Sequence, residues 1–178
     1  MKILTFTSLF PNSLQPNYAG FLLQRIFHLA KRTGIEVEVV APLPYVPKFL
    51  KHTAKGRLAS LPELETIAGI RVHHPRYPLL PKISMPFHSL LMGSACLGLV
   101  RSLHRQQQFD CIDSHYVFPD GLAAVLIGKA LQIPVALTAR GTDIHTFSRF
   151  ATIGPQIRWT LRHADGVAAV SALSLIHI

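Results

Sequence analysis

Two short stretches bring ionisable and hydrogen-bonding side chains close together in sequence. "DSHYVFPDG", residues 113–121, carries His115, Tyr116 and Asp120 and closes on a turn of Pro119, Asp120 and Gly121. "TARGTDIH", residues 138–145, sets Arg140, Thr142 and Asp143 around Gly141. An imidazole, a guanidinium, a hydroxyl and carboxylates at short spacing suit recognition of sugar hydroxyls or phosphates. Gly121 leads into a predicted helix whose first amides can donate to an oxygen ligand, and Gly141 lets the backbone turn sharply beside Arg140. Each residue also has a plainer reading. His115 can be a hydrogen-bonded histidine at a strand end, Asp120 a helix cap, and Asp143 a turn former or a partner of Arg140.

Other chemistries find less support. Asp110, Asp113 and His115 lie close in sequence, but no further ligand cluster accompanies them, so no metal site is expected. His73 and His74 are neighbours on a predicted strand and point to opposite faces, which prevents chelation of one ion. The loop after the first strand, "SLFPNSLQPNYAG", has no GxGxxG, and "GKA" at Gly128 lacks the upstream glycine of a phosphate loop. No GxSxG elbow presents a nucleophile. Cys96 and Cys111 are the only cysteines and form no CxxC pair, so neither a disulfide framework nor a zinc site is expected, and a reducing cytoplasm suits the chain.

The elements that must position these loops are legible from hydrophobic patterning. Strands are predicted at residues 3–7, 37–41, 70–74, 111–114, 134–138 and 166–170, each short and bounded by turn residues. Between the first two, Phe21, Leu22, Arg25, Ile26 and Leu29 follow helical spacing, with Gly34 as the stop. Helices are also predicted at 87–105, 121–131 and 155–163, the last with Pro155 at its start. Residues 42–69 are expected to be irregular with one short helix. Alternating strands and helices imply an α/β fold with a parallel sheet and crossover helices, where ligands bind at the carboxyl ends of the strands. Both polar loops fall there.

The 178 residues fit one domain, and 49% hydrophobic against 15% charged residues excludes disorder. The net charge of +9 is uneven: residues 48–105 hold nine Lys or Arg against only Glu63 and Glu65. That stretch reads either as a solvated surface or as a face for an anionic membrane or a phosphate-bearing substrate. No basic helix with interleaved aromatics signals nucleic acid. The apolar run at 87–100 is shorter than the roughly 20 residues a bilayer requires, and no export signal is legible at the start.

The order of parts resembles a known family. "FPNSLQPNYAGFLLQRIFHLAKRTGIEVEVVAP", "FDCIDSHYVFPDGLAAVLIGKALQIPVALTARGTDIH" and "RHADGVAAVS" together resemble the N-terminal domain of family 4 glycosyltransferases of the GT-B fold. The resemblance implies a Rossmann-like, acceptor-side half of a retaining, metal-independent enzyme. Such an enzyme moves a sugar from a nucleotide-sugar donor, a co-substrate rather than a cofactor, to a glycan, lipid-linked or small-molecule acceptor. By position it implies that the loop of Asn17, Ala19 and Gly20 approaches donor phosphate and acceptor. It assigns substrate contacts to His115 and Asp120, and to Arg140, Gly141, Thr142 and Asp143 of the motif that often reads His-Gly-x-Asp. Here arginine replaces that histidine, which suggests contact with a phosphate or carboxylate.

The family's donor domain carries paired glutamates, whereas the last glutamate here is Glu65. Residues 1–172 are therefore expected to be the N-terminal domain, inactive alone, with the donor-binding domain absent. "LSLIHI", residues 173–178, matches the translation of CTG TCT CTT ATA CAC ATC, a transposon end used in library preparation, and is expected to be a non-native tail. Cytoplasmic placement, with peripheral contact at the inner membrane face, accompanies this reading. The alternative is a stand-alone Rossmann-like binding module for an anionic glycan or lipid head group.

Overall fold

The computed structural model describes residues 1–32, 34–46, 54–79 and 84–170. Nine strands occur among these residues: β1 (Lys2–Phe6), β2 (Glu36–Val40), β3 (Leu43–Pro44), β4 (Leu64–Ile67), β5 (Ile70–His73), β6 (Arg76–Tyr77), β7 (Cys111–His115), β8 (Val135–Ala139) and β9 (Gly166–Ala169). The helices are α1 (Gly20–Ala30), α2 (Ala54–Arg57), α3 (His88–Gln107), α4 (Leu122–Leu131), α5 (Thr142–His145) and α6 (Gly154–His163). The main sheet has seven strands in the order β4-β5-β2-β1-β7-β8-β9. All its pairings are parallel except β4 with β5. β3 and β6 pair separately in a small parallel ladder.

This is the α/β architecture the pattern predicts, with parallel strands joined by crossover helices. From β1 the chain winds outward to β2 and β5, then returns to β7 on the other side of β1 and continues to β8 and β9. The strand order reverses between β1 and β7, so their carboxyl ends diverge and leave the crevice in which such sheets bind ligands. Two apolar layers hold the sheet from both faces. α1 packs Leu22 and Ile26 on Val39 and Val72. On the other face Met92, Cys96 and Val100 of α3 and Ala123 and Ile127 of α4 cover Leu4, Phe6, Ile112 and Leu137.

The described residues of the segment at 42–69, namely 42–46 and 54–69, are more ordered than the sequence suggests. They contain β3, the short α2 and β4, and β4 forms a hairpin with β5 through Ala68 and Gly69, at φ 51° and 82°. Two positive φ values in succession are the signature of a type I′ turn, usually announced by Asn-Gly; alanine in the first position hides it. His73 and His74 leave β5 on opposite sides as expected, the first to Glu38 Oε1 at 2.6 Å and the second to Glu65 Oε1 at 2.7 Å. Among the described residues, no helix is long and apolar enough to cross a membrane. Lys48, Lys51, Lys82 and the expected tail at 173–178 lie outside the described residues.

Candidate substrate-binding site

Three loops meet at the crevice, one after each of β1, β7 and β8. Two buried carboxylates bind them together. Asp120 is fully buried, and its Oδ2 accepts hydrogen bonds from Ser8 N (2.7 Å), Ser8 Oγ (2.9 Å) and Thr7 Oγ1 (3.3 Å). The loop after β7 is thereby fixed to the end of β1. Asp143 is buried likewise and accepts from Val117 N at 2.7 Å and from Arg140 N at 3.0 Å, which joins the loop after β8 to that after β7. Both carboxylates thus spend oxygen lone pairs on the protein's own donors. Asp120 Oδ1 alone lacks a partner. Burial pushes the Asp120 carboxyl up to about 7, with the nearby Asp143 charge adding to the rise and the Ser8 and Thr7 donors opposing it.

His115 ends β7 with no exposed surface, and both ring nitrogens are engaged. Nδ1 lies 3.1 Å from Arg140 Nη2, while Nε2 lies 2.7 Å from Arg25 Nη1 and 3.2 Å from Asp113 Oδ2. Guanidinium groups only donate, so Nδ1 faces a donor in Arg140, while Nε2 lies between a donor in Arg25 and an acceptor in Asp113. Arg25 Nη1 also reaches Asp113 Oδ2, at 3.1 Å. Burial lowers the His115 pKa, and the two guanidiniums add to this against the opposing Asp113 carboxylate. For Asp113, burial acts upward but is outweighed by His115 and Arg25, and the net shift is downward.

Arg140 lies over the Phe21 ring with its guanidinium carbon 4.8 Å from the centroid. Phe21 and Arg25 are one turn apart on α1 and share a face. Gly141 adopts φ 111°, a conformation that strains any residue with a side chain, and its carbonyl accepts from Ile144 N and His145 N to start α5. Thr142 is exposed and engages the Tyr116 phenol. Asn17 is exposed in the loop after β1, and Gly20 opens α1 with nothing within 4 Å of where a side chain would begin. The loop containing both is shaped by buried Asn12, whose Oδ1 accepts from Leu14 N and Gln15 N, and is held to the β4 hairpin by Glu65 through Ser13 N.

The structure therefore brings His115, Arg140, Gly141, Thr142, Asp143 and Asp120 into one connected group, with Asn17 and Gly20 on the adjoining loop. Arg25, Ser8 and Asn12 were not singled out for the site by sequence reasoning. For Arg25 there was a signal: a cation at a position of the stripe α1 turns toward the sheet. Among the described residues, no three of His, Cys, Asp or Glu gather as a metal would require.

The sequence model of the glycosyl transferase 4-like domain matches residues 22–175. The chain belongs to that family. It is 31% identical over 157 residues to the teichuronic acid biosynthesis glycosyltransferase TuaC of Bacillus subtilis (strain 168), covering 85% of this chain and 39% of TuaC. This glycosyl transferase 4-like chain thus spans about two fifths of that relative. Its fold is similar to the Neisseria meningitidis UDP-GlcNAc 2-epimerase bound to UDP-GlcNAc (TM-score 0.57, 15% identity, 99% of this chain and 42% of that one). It is also similar to Arabidopsis thaliana UGT89C1 complexed with UDP (TM-score 0.55, 15% identity, 98% and 46%). At that identity the structural likeness establishes the GT-B-type fold alone.

Proposed function

We propose that the chain is the acceptor-side part of a retaining glycosyltransferase, one that moves a sugar from a nucleotide-sugar donor to a glycan, lipid-linked or small-molecule acceptor. The observation that carries this reading is the connected group around His115: three strand-end loops locked by Asp120 and Asp143 at the reversal of strand order, with Arg140 and Thr142 at its rim. Family membership and the UDP and UDP-GlcNAc found with structural neighbours support a nucleotide-sugar partner. In this reading the donor is held by the part of the longer protein that this chain does not span, and no cofactor is required. The basic segment at 48–105 serves peripheral contact with an anionic membrane at its cytoplasmic face.

The test is a transfer assay on the longer protein with labelled UDP-sugars and crude acceptor. Arg140→Ala and His115→Ala should each lower the rate at least about tenfold, the worth of one charge-assisted hydrogen bond at a preorganised site. The 178-residue chain alone should be inactive, because half of the cleft that orients the reactants is missing. Turnover by the short chain, or wild-type rates in both variants, would count against the proposal.

A further inference from the structure

We propose that Arg25 and Arg140 form a two-guanidinium clamp for an oxyanion, a phosphate or a carboxylate, carried by the substrate that enters beside His115. The inference rests on the cleft proposed above and adds the chemical class of the group bound there. It starts from a count of donors and acceptors. Arg140 gives one N–H to His115 Nδ1 and lies on Phe21, while its buried Nε has no partner. Among the described residues, no carboxylate lies within ion-pair distance of Arg140. Asp143, the acid nearest in sequence, is engaged by backbone amides.

Arg25 is little better served. Its one carboxylate oxygen, Asp113 Oδ2, also lies 3.2 Å from His115 Nε2, and Arg25 Nη1 is crowded 2.7 Å from that same nitrogen. Two cations thus flank one ring, and of the two Arg25 alone pairs with the Asp113 carboxylate. The Arg25 charge adds to burial in lowering the Arg140 pKa, as expected of like charges held close. α1 strengthens the field: its N-cap residue Ala19 supplies no side-chain cap and its first turn holds no acidic residue, so the positive end of the helix is uncompensated.

An oxyanion resolves each of these features at once. Guanidiniums present planar forks that match phosphate and carboxylate oxygens, and Phe21 holds the Arg140 plane while leaving its edge free. Phe21 remains 57% exposed, and the Arg25 side chain 48% exposed, so both border open solvent where a substrate can arrive. His115, fully buried with both nitrogens used, then acts as the spacer that positions the two cations.

The clamp is tested by titrating the 178-residue chain with inorganic phosphate, glucuronate and, as a neutral control, glucose, following the histidine ring signals by NMR. Phosphate or glucuronate should bind in a salt-sensitive manner and glucose should not. Arg140→Gln and Arg25→Gln should weaken binding at least about tenfold, whereas Arg162→Gln on the exposed face of α6 should leave it unchanged. If Arg25→Gln unfolds through loss of its Asp113 pair, Arg25→Lys keeps the charge without the fork and should bind several-fold more weakly. Tighter binding of glucuronate places a carboxylate on the acceptor. Tighter phosphate binding that UDP displaces assigns the site to the donor, and phosphate binding that UDP leaves intact assigns it to a phosphorylated acceptor. Equal behaviour of all three probes, undiminished binding in a folded Arg140→Gln, or equal loss in Arg162→Gln overturns the clamp. Anion binding without transfer by the longer protein would sink the proposed function and spare the clamp; transfer without anion binding would do the reverse.

Discussion

Ser8 donates two hydrogen bonds to one oxygen of Asp120, from its backbone amide at 2.7 Å and its hydroxyl at 2.9 Å. A residue that closes β1 and one that precedes α4 are thus joined across the point where the strand order reverses. The other carboxylate oxygen of Asp120 is buried without a partner.

That asymmetry makes stability depend on pH. The carboxyl is raised from an ordinary 3.8 to about 7 in the fold, so between those values the folded state holds a proton that the unfolded chain has released. The contribution of Asp120 to stability is therefore greatest below about pH 4, declines as pH rises toward 7, and is level above it. The contribution is at most about 4 kcal/mol. Asp120→Asn keeps an acceptor for Ser8 and removes the titration. The difference in urea midpoint between variant and wild type should therefore widen in favour of asparagine from pH 4.5 to 7.5. A difference that stays constant across that range would show that Asp120 is not protonated in the fold.

Gly20 separates a conformational glycine from one kept for ligand access. Nothing lies within 4 Å of an added Cβ there, and its φ is not in the left-handed range. Gly20→Ala should stabilise α1 by about 0.5 to 1 kcal/mol through helix propensity. Transfer by the longer protein should nevertheless fall, because the methyl group occupies the approach to the loop. Wild-type transfer in the stabilised variant would remove Gly20 from the site.

What could be read from the sequence follows from how locally each feature is encoded. The central strands β1, β2, β7 and β8 are short runs bounded by turn residues, most of whose positions are buried, and could be placed to within about two residues. β4 was hidden because "LETI" is an edge strand of mixed exposure and its turn lacks the customary Asn-Gly. At the site, turn chemistry exposed Gly141 and Asp120. Ser8, the partner of Asp120, and Val117, the partner of Asp143, lie far off in sequence and are set by the pairing of β7 with β1 and β8, which no local pattern records. Arg25 was visible as a charge in an apolar stripe, but only the tertiary fold, with α1 packed on β2 and β5, shows its side chain reaching Asp113 and His115.

Gly128 shows packing where a motif search shows none. An added Cβ would meet Val135 and stand 2.7 Å from the Ile133 carbonyl oxygen, so α4 would have to move off the backbone that leads into β8. Gly128→Ala should cost about 1 to 3 kcal/mol and lower Tm by several degrees. Substrate affinity should not change, since the contact lies at the opposite end of β8 from Arg140. Calorimetry that found the variant as stable as wild type would mean that the α4 contact is looser than the distances indicate.

Asp143 poses the sharpest choice between holding substrate and holding the fold. Its Oδ2 lies 2.7 Å from Val117 N and 3.3 Å from Arg140 N, so a single amide oxygen in its place can serve both donors. Asp143→Ala strands two backbone amides in a buried setting, at about 1 to 3 kcal/mol for each donor left unsatisfied. It should lower Tm and, by releasing the loop that carries Arg140, also lower transfer. Asp143→Asn should recover most of both. A residue that binds substrate through its charge would give a different pattern, with Tm preserved in asparagine and transfer lost. Melting curves and transfer rates measured on both variants of the longer protein decide between the two. If the asparagine variant melts like wild type but transfers no faster than alanine, Asp143 acts on the substrate itself.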